Sequence, residues 1–121
     1  MRVLIADDDP GMRDILTIFM DRAGHDAMTA GDGLEALCLL EKNPYDVVIT
    51  DGFMPGMTGF ELCRIVRERF PHTLVIGLTG SSRLQEFEKA GAQVCYYKPV
   101  TFSVLHQAME MHFGTKQAAV M

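Results

Sequence analysis

Apolar and polar positions follow two rhythms along this chain. Short apolar runs, most of them ending on a polar group, are separated by stretches in which apolar residues return every three or four positions. The runs are Val3 to Ala6, Tyr45 to Thr50, Leu74 to Leu78 and Val94 to Tyr97, with a weaker one from His25 to Ala30. Runs this short, bounded by turn residues, predict strands. The first, third and fourth strands are nearly all apolar, which marks strands covered on both faces.

The intervening stretches predict helices. Asp9-Pro10 places a proline at the first helical position. Met12, Ile15, Leu16, Phe19 and Met20 then form an apolar face, and Gly24 closes the helix. After the turn Gly31-Asp32-Gly33, Leu34, Leu37 and Cys38 predict the buried stripe of a second helix, ended by Asn43-Pro44. Thr58 caps a third helix, with Glu61 three residues on as a capping box requires, and Leu62, Ile65 and Val66 as its apolar face. Ser81 or Ser82 opens a fourth, which uses Leu84, Phe87 and Ala90 and ends at Gly91. The fifth runs from Thr101 to Phe113 and faces inward with Val104, Leu105, Ala108 and Met109. Five strands alternating with five helices predict an α/β fold, a doubly wound (βα)5 sandwich on a parallel sheet. The expected strand order is the flavodoxin-like 2-1-3-4-5.

Composition narrows the possibilities. A chain of 121 residues, 48% apolar, fits one domain with a real core. No apolar run approaches a membrane span, and Asp7 to Asp9 end the first run too early for a signal peptide. A net charge of −5 with no basic cluster argues against direct nucleic-acid binding. Cys38, Cys63 and Cys95 are odd in number and widely spaced, and the first two fall within apolar helical patterns. They read as reduced core thiols of a cytoplasmic protein. His25, His72, His106 and His112 show no ligand spacing and read as structural or surface residues. The nine methionines read mainly as core filling. Met111, His112 and Phe113 form a candidate exposed patch near the end, and residues 115–121 a short tail with no output domain.

Candidate chemistry lies where the strands end. If the runs are neighbouring parallel strands, Asp7, Asp8, Asp51, Thr79 and Lys98 converge on one edge of the sheet, where open α/β sheets carry their sites. Asp7 and Asp8 serve either as helix-capping acids or as ligands of a hard divalent cation. Asp51 enters a loop with three glycines and a proline, and reads either as a turn acid or as a nucleophile toward phosphorus. Thr79, followed by Gly80, offers a hydroxyl with room for close approach. Lys98 offers an ammonium, and Lys98-Pro99 is a candidate cis bond.

In this order and spacing, Asp7-Asp8, Asp51 with Met54-Pro55 and Gly59, Thr79 and Lys98-Pro99 resemble the receiver domain of two-component response regulators. The resemblance covers residues 1–114. It implies that Asp51 accepts a phosphoryl group from a sensor histidine kinase or phosphotransfer protein. Mg²⁺ would be held by Asp8, Asp51 and the backbone carbonyl of Phe53, with Asp7 linked through water. Thr79 and Lys98 would bind phosphoryl oxygens. The protein would be a self-phosphorylating switch, not an enzyme acting on a separate metabolite. It would signal to a target protein through the face made by the fourth helix, fifth strand and fifth helix, as a monomer or weak homodimer.

Three positions depart from the family pattern. Cys95 stands where many members carry a switching aromatic, three residues before the lysine. Gly80 replaces the commoner alanine. Phe53 is bulky, and implies hindered attack by water and a longer phosphorylated lifetime. A stand-alone regulator of the chemotaxis or phosphorelay type is expected, with a receiver cut from a longer regulator as the alternative. A pseudo-receiver that only binds proteins is a further alternative. A phosphohydrolase of the haloacid dehalogenase type fits poorly, because its nucleophile follows the first strand in a D-x-D-x-T/V pattern.

Overall fold

The computed structural model describes residues 1–80 and 82–114. Five strands alternate with five helices: β1 (Arg2–Ala6), α1 (Pro10–Arg22), β2 (Asp26–Ala30), α2 (Gly33–Lys42), β3 (Val47–Asp51), α3 (Gly59–Arg69), β4 (Leu74–Thr79), α4 (Leu84–Ala90), β5 (Val94–Tyr97) and α5 (Phe102–Phe113). The strands form one parallel sheet in the order β2-β1-β3-β4-β5, as the sequence predicts.

Alternation along the strands divides the apolar residues between two cores. Leu4, Ala6, Val48 and Val75 face α2, α3 and α4. Val3, Ile5, Val47, Ile49, Leu74, Ile76 and Leu78 face α1 and α5. β1, β3 and β4 are buried on both sides, which is why their sequences carry almost no polar residue before the last position.

The helix signals act as read at most ends. The Asp9 carboxylate accepts from Gly11 N–H, with Pro10 at the first helical position. Thr58 and Glu61 complete a capping box. Thr101 caps α5. The fourth helix differs from expectation. Ser81 lies outside the described residues, and the helix begins only at Leu84, with Arg83 at its cap and no side-chain cap bond.

The second helix also corrects the sequence reading. Its buried residues are Gly33, Ala36 and Leu40, whereas Leu34 is 60% exposed and Cys38 is exposed. A Cβ at residue 33 would lie 2.7 Å from that of Met57, so small residues mark the contact here. The first helix shows the same effect more mildly. Leu16 and Met20 are buried, while Ile15, Ile18 and Phe19 remain largely exposed. Of the other cysteines, Cys63 is fully buried and donates to the carbonyl of Ala90 at 3.6 Å. Burial pushes its thiol up to about 11.

Candidate functional site

Parallel pairing in this order brings the carboxyl ends of β1, β3, β4 and β5 together. Asp7 follows β1, Asp51 ends β3, Thr79 ends β4 and Lys98 follows β5. Carboxylate oxygens of Asp7, Asp8 and Asp51 all lie within 4.8 Å of one another. The Lys98 ammonium bridges the first and last, 3.1 Å from Asp7 Oδ2 and 3.5 Å from Asp51 Oδ1.

Each group is held by the backbone around it. Asp7 is buried, its Oδ1 accepts from Asp9 N–H at 2.9 Å, and its own N–H donates to Ala30. Asp8 is exposed. Asp51 Oδ1 accepts from Gly52 N–H at 2.8 Å. Lys98 donates its backbone N–H to the Thr79 carbonyl at 2.8 Å, and the Lys98-Pro99 bond is cis. Thr79 is fully buried. Phe53 lies in the loop beyond Asp51 with its ring 45% exposed, edge-on to Phe60 and under the guanidinium of Arg83.

Two supports were not evident from the sequence. Arg13 reaches back from α1 to donate to the Asp7 carbonyl at 2.8 Å. Gly59 sits against the end of β3, where a Cβ would fall 1.7 Å from the Asp51 carbonyl oxygen. A Gly after a capping threonine is the only local signal for that approach.

The charges do not balance. Three carboxylates lie together, and the Lys98 ammonium pairs with two of them. Burial raises Asp51 above its ordinary value and Asp7 adds to the rise, against lowering by Lys98 and the Gly52 N–H. Burial alone would lower Lys98, yet its hydrogen bond to Asp7 and the charges of Asp51 and Asp7 leave it raised. The donors are all carboxylate oxygens, the set that hard divalent cations such as Mg²⁺ prefer. The site fits such an ion on both counts.

The side chains of β5 divide as strand geometry requires. Cys95 packs toward α4 with the first core, Tyr96 toward α5 with the second, and Tyr97 is exposed.

A doubly wound parallel sheet in the order β2-β1-β3-β4-β5 with an acidic crevice at its carboxyl edge defines a flavodoxin-like domain. Residues 3–110 match the response regulator receiver domain family, and the chain belongs to it. It is 36% identical to the chemotaxis protein CheY of Pseudomonas aeruginosa, over 93% of this chain and 96% of that protein. It is 40% identical to the sensor protein EvgS of Escherichia coli K12 over 87% of this chain, yet spans only 9% of that protein. Among solved structures, the chemotaxis response regulator CheY4 of Vibrio cholerae superposes with a TM-score of 0.83 at 33% identity, covering 91% of this chain and 96% of that one. Receiver domains are signalling modules of two-component systems that bind Mg²⁺ at an acidic pocket and interact with histidine kinases and downstream targets. Among the described residues, no helix is long and apolar enough to cross a membrane.

Proposed function

We propose that this domain accepts a phosphoryl group on Asp51 and passes the signal on through a protein-binding surface. The observation that carries the reading is the crevice itself, with Asp7, Asp8 and Asp51 gathered around a single ammonium.

The chemistry is a phosphoryl transfer. An Asp51 carboxylate oxygen attacks phosphorus, the bond from phosphorus to the donor's imidazole nitrogen breaks, and an aspartyl phosphate forms. Asp8, Asp51 and the Phe53 carbonyl would hold Mg²⁺, with Asp7 linked through water; the ion supplies neutralisation of the phosphoryl oxygens. Lys98, already 3.5 Å from the acceptor oxygen, would shift its ammonium onto a phosphoryl oxygen. The Thr79 hydroxyl would donate to another. Phe53 crowds the approach of hydrolytic water.

Phosphorylation would then bias the face formed by α4, β5 and α5 toward a second arrangement. Cys95 replaces the usual switching aromatic on the α4 side. Tyr96 lies on the opposite side of the strand and does not take its place.

The test is intact-protein mass after incubation with acetyl phosphate, with and without Mg²⁺. The expected result is a Mg²⁺-dependent gain of one phosphoryl group that Asp51→Ala abolishes. A folded, Mg²⁺-binding protein that gains none would make the domain a phosphorylation-independent interaction module.

A further inference from the structure

Thr50 is a fully buried polar residue that follows the apolar run Val47-Val48-Ile49. A buried hydroxyl needs a partner. Thr50 finds one beside the site, where its Oγ1 donates to the Asp51 carbonyl at 2.9 Å. Alternation along β3 puts Thr50 on the same face as Val48, toward α3, and Gly59 opens that helix. A Cβ at residue 59 would lie 3.0 Å from the hydroxyl and 1.7 Å from the carbonyl that it holds.

This anchor belongs to a set. The Gly52 N–H donates to the Leu78 carbonyl at 3.1 Å and to Asp51 Oδ1 at 2.8 Å. The Gly52 carbonyl accepts from Gly59 N–H at 2.9 Å. The Phe60 ring lies so close to Gly52 that a Cβ there would fall 2.8 Å from it. The Asp51 carbonyl, the Gly52 N–H and the Gly52 carbonyl are thus all engaged. The first of them depends on a hydroxyl that a substitution can remove.

A trans peptide is planar, with its carbonyl and its N–H on opposite sides of one rigid unit. Holding the Asp51 carbonyl therefore aims the Gly52 N–H. That N–H in turn holds a carboxylate oxygen of the preceding residue. Control runs from the Thr50 hydroxyl to the Asp51 carbonyl, across the peptide plane to the Gly52 N–H, and so to the rotation of the Asp51 carboxylate. The same carboxylate lies 3.5 Å from the Lys98 ammonium and within 4.8 Å of oxygens of Asp7 and Asp8.

We propose that Thr50 is a positioning residue for Asp51. Its hydroxyl fixes the Asp51–Gly52 peptide and, through it, the angle at which the carboxylate meets Lys98 and the neighbouring acids. The consequence for rate rests on the reading of Asp51 as the phosphoryl acceptor; the consequence for the peptide does not.

The test compares Thr50→Val, which keeps the shape and loses the hydroxyl, with Thr50→Ser, which keeps the hydroxyl and loses a methyl. Two quantities are read on the 121-residue chain. One is the initial rate of phosphoryl gain from acetyl phosphate at saturating Mg²⁺, by intact-protein mass. The other is amide-exchange protection of Gly52 in the Mg²⁺-free protein, by NMR. In Thr50→Val the rate should fall by about tenfold, as for a slightly misplaced reacting group, and Gly52 protection by about tenfold as well. In Thr50→Ser both should return to within about threefold of wild type, although the lost methyl costs it core packing. A Thr50 that serves only to fill the core gives the opposite ranking, with Ser the poorer variant and Val like wild type, and that ranking would overturn the proposal. Unchanged Gly52 protection in Thr50→Val would also overturn it, as would an unchanged rate where wild type is phosphorylated. If no chain gains a phosphoryl group, wild type included, the acceptor reading fails and Gly52 protection alone decides for Thr50. If Thr50→Val does not fold, Thr50→Ala takes its place against the same Thr50→Ser.

Discussion

The domain holds two networks of ionisable groups, and they are built on opposite plans. At the carboxyl edge of the sheet, Lys98 pairs with Asp7 and Asp51, Asp8 lies beside them, and the three carboxylates outnumber that ammonium. Between α1 and α5, His25 and His106 meet through their Nε2 atoms at 3.1 Å, with Glu110 beside His106. An unbalanced network of this kind would be lowered in energy by an added cation. The second is a clasp that joins two elements through one ring-to-ring contact.

Removing the ammonium that pairs with both Asp7 and Asp51 should therefore have the largest effect. Lys98→Met leaves Asp7 and Asp51 facing each other partly buried. It should destabilise the Mg²⁺-free protein by about 2–3 kcal/mol in urea unfolding. Addition of Mg²⁺ should recover most of that loss, and failure to do so would mean that the crevice does not take the ion.

Removing a surplus anion should do the reverse. Asp51 is held above its ordinary value, so its ionised form weighs against folding. That cost appears as pH rises above 3.8 and is fully present at neutral pH. Asp51→Asn should accordingly raise stability at pH 7 without Mg²⁺, by about 1 kcal/mol, while abolishing phosphorylation. A loss of stability would show the crevice already balanced.

The clasp carries the opposite pH dependence. His25 is held below 6.5, so its contribution is complete above that pH and is lost as pH falls through it. The melting temperature should decline from pH 7.5 to 5.5 in wild type and decline less in His25→Gln. The smallest effect is expected at Glu110, which is half exposed. Glu110→Gln should cost about 0.5 kcal/mol or less in urea unfolding, because its pair with His106 is partly exposed. Phe53→Asn belongs to a separate axis. It should leave stability nearly unchanged and shorten the phosphorylated lifetime; an unchanged dephosphorylation rate would remove Phe53 from the hydrolytic path.

The two networks also differ in how far they could be read in advance. Strands buried on both faces announce themselves as unbroken apolar runs, and the polar residues that end them fall at a sheet edge. The fold and the crevice were legible for that reason. The clasp was not, because its two histidines meet only through tertiary packing and neither lies in a motif. α2 misled for a related reason. It carries apolar residues around most of its circumference, so hydrophobicity alone does not identify the inner face. There the small residues Gly33 and Ala36 lie inward and Leu34 outward. α4 begins later than read, at Leu84, with Arg83 at its cap and no side-chain cap bond there.

One further feature sets the mechanical character of the domain. Gly77 leaves a notch in the middle of β4, and the ring of Phe87 fills it so closely that a Cβ would lie 2.5 Å from the ring. α4 is the shortest helix and has no side-chain cap; of its residues only Phe87 and Ala90 are buried. It is thus keyed to β4 at one ring, and the packing there leaves no room for a side chain larger than hydrogen at residue 77.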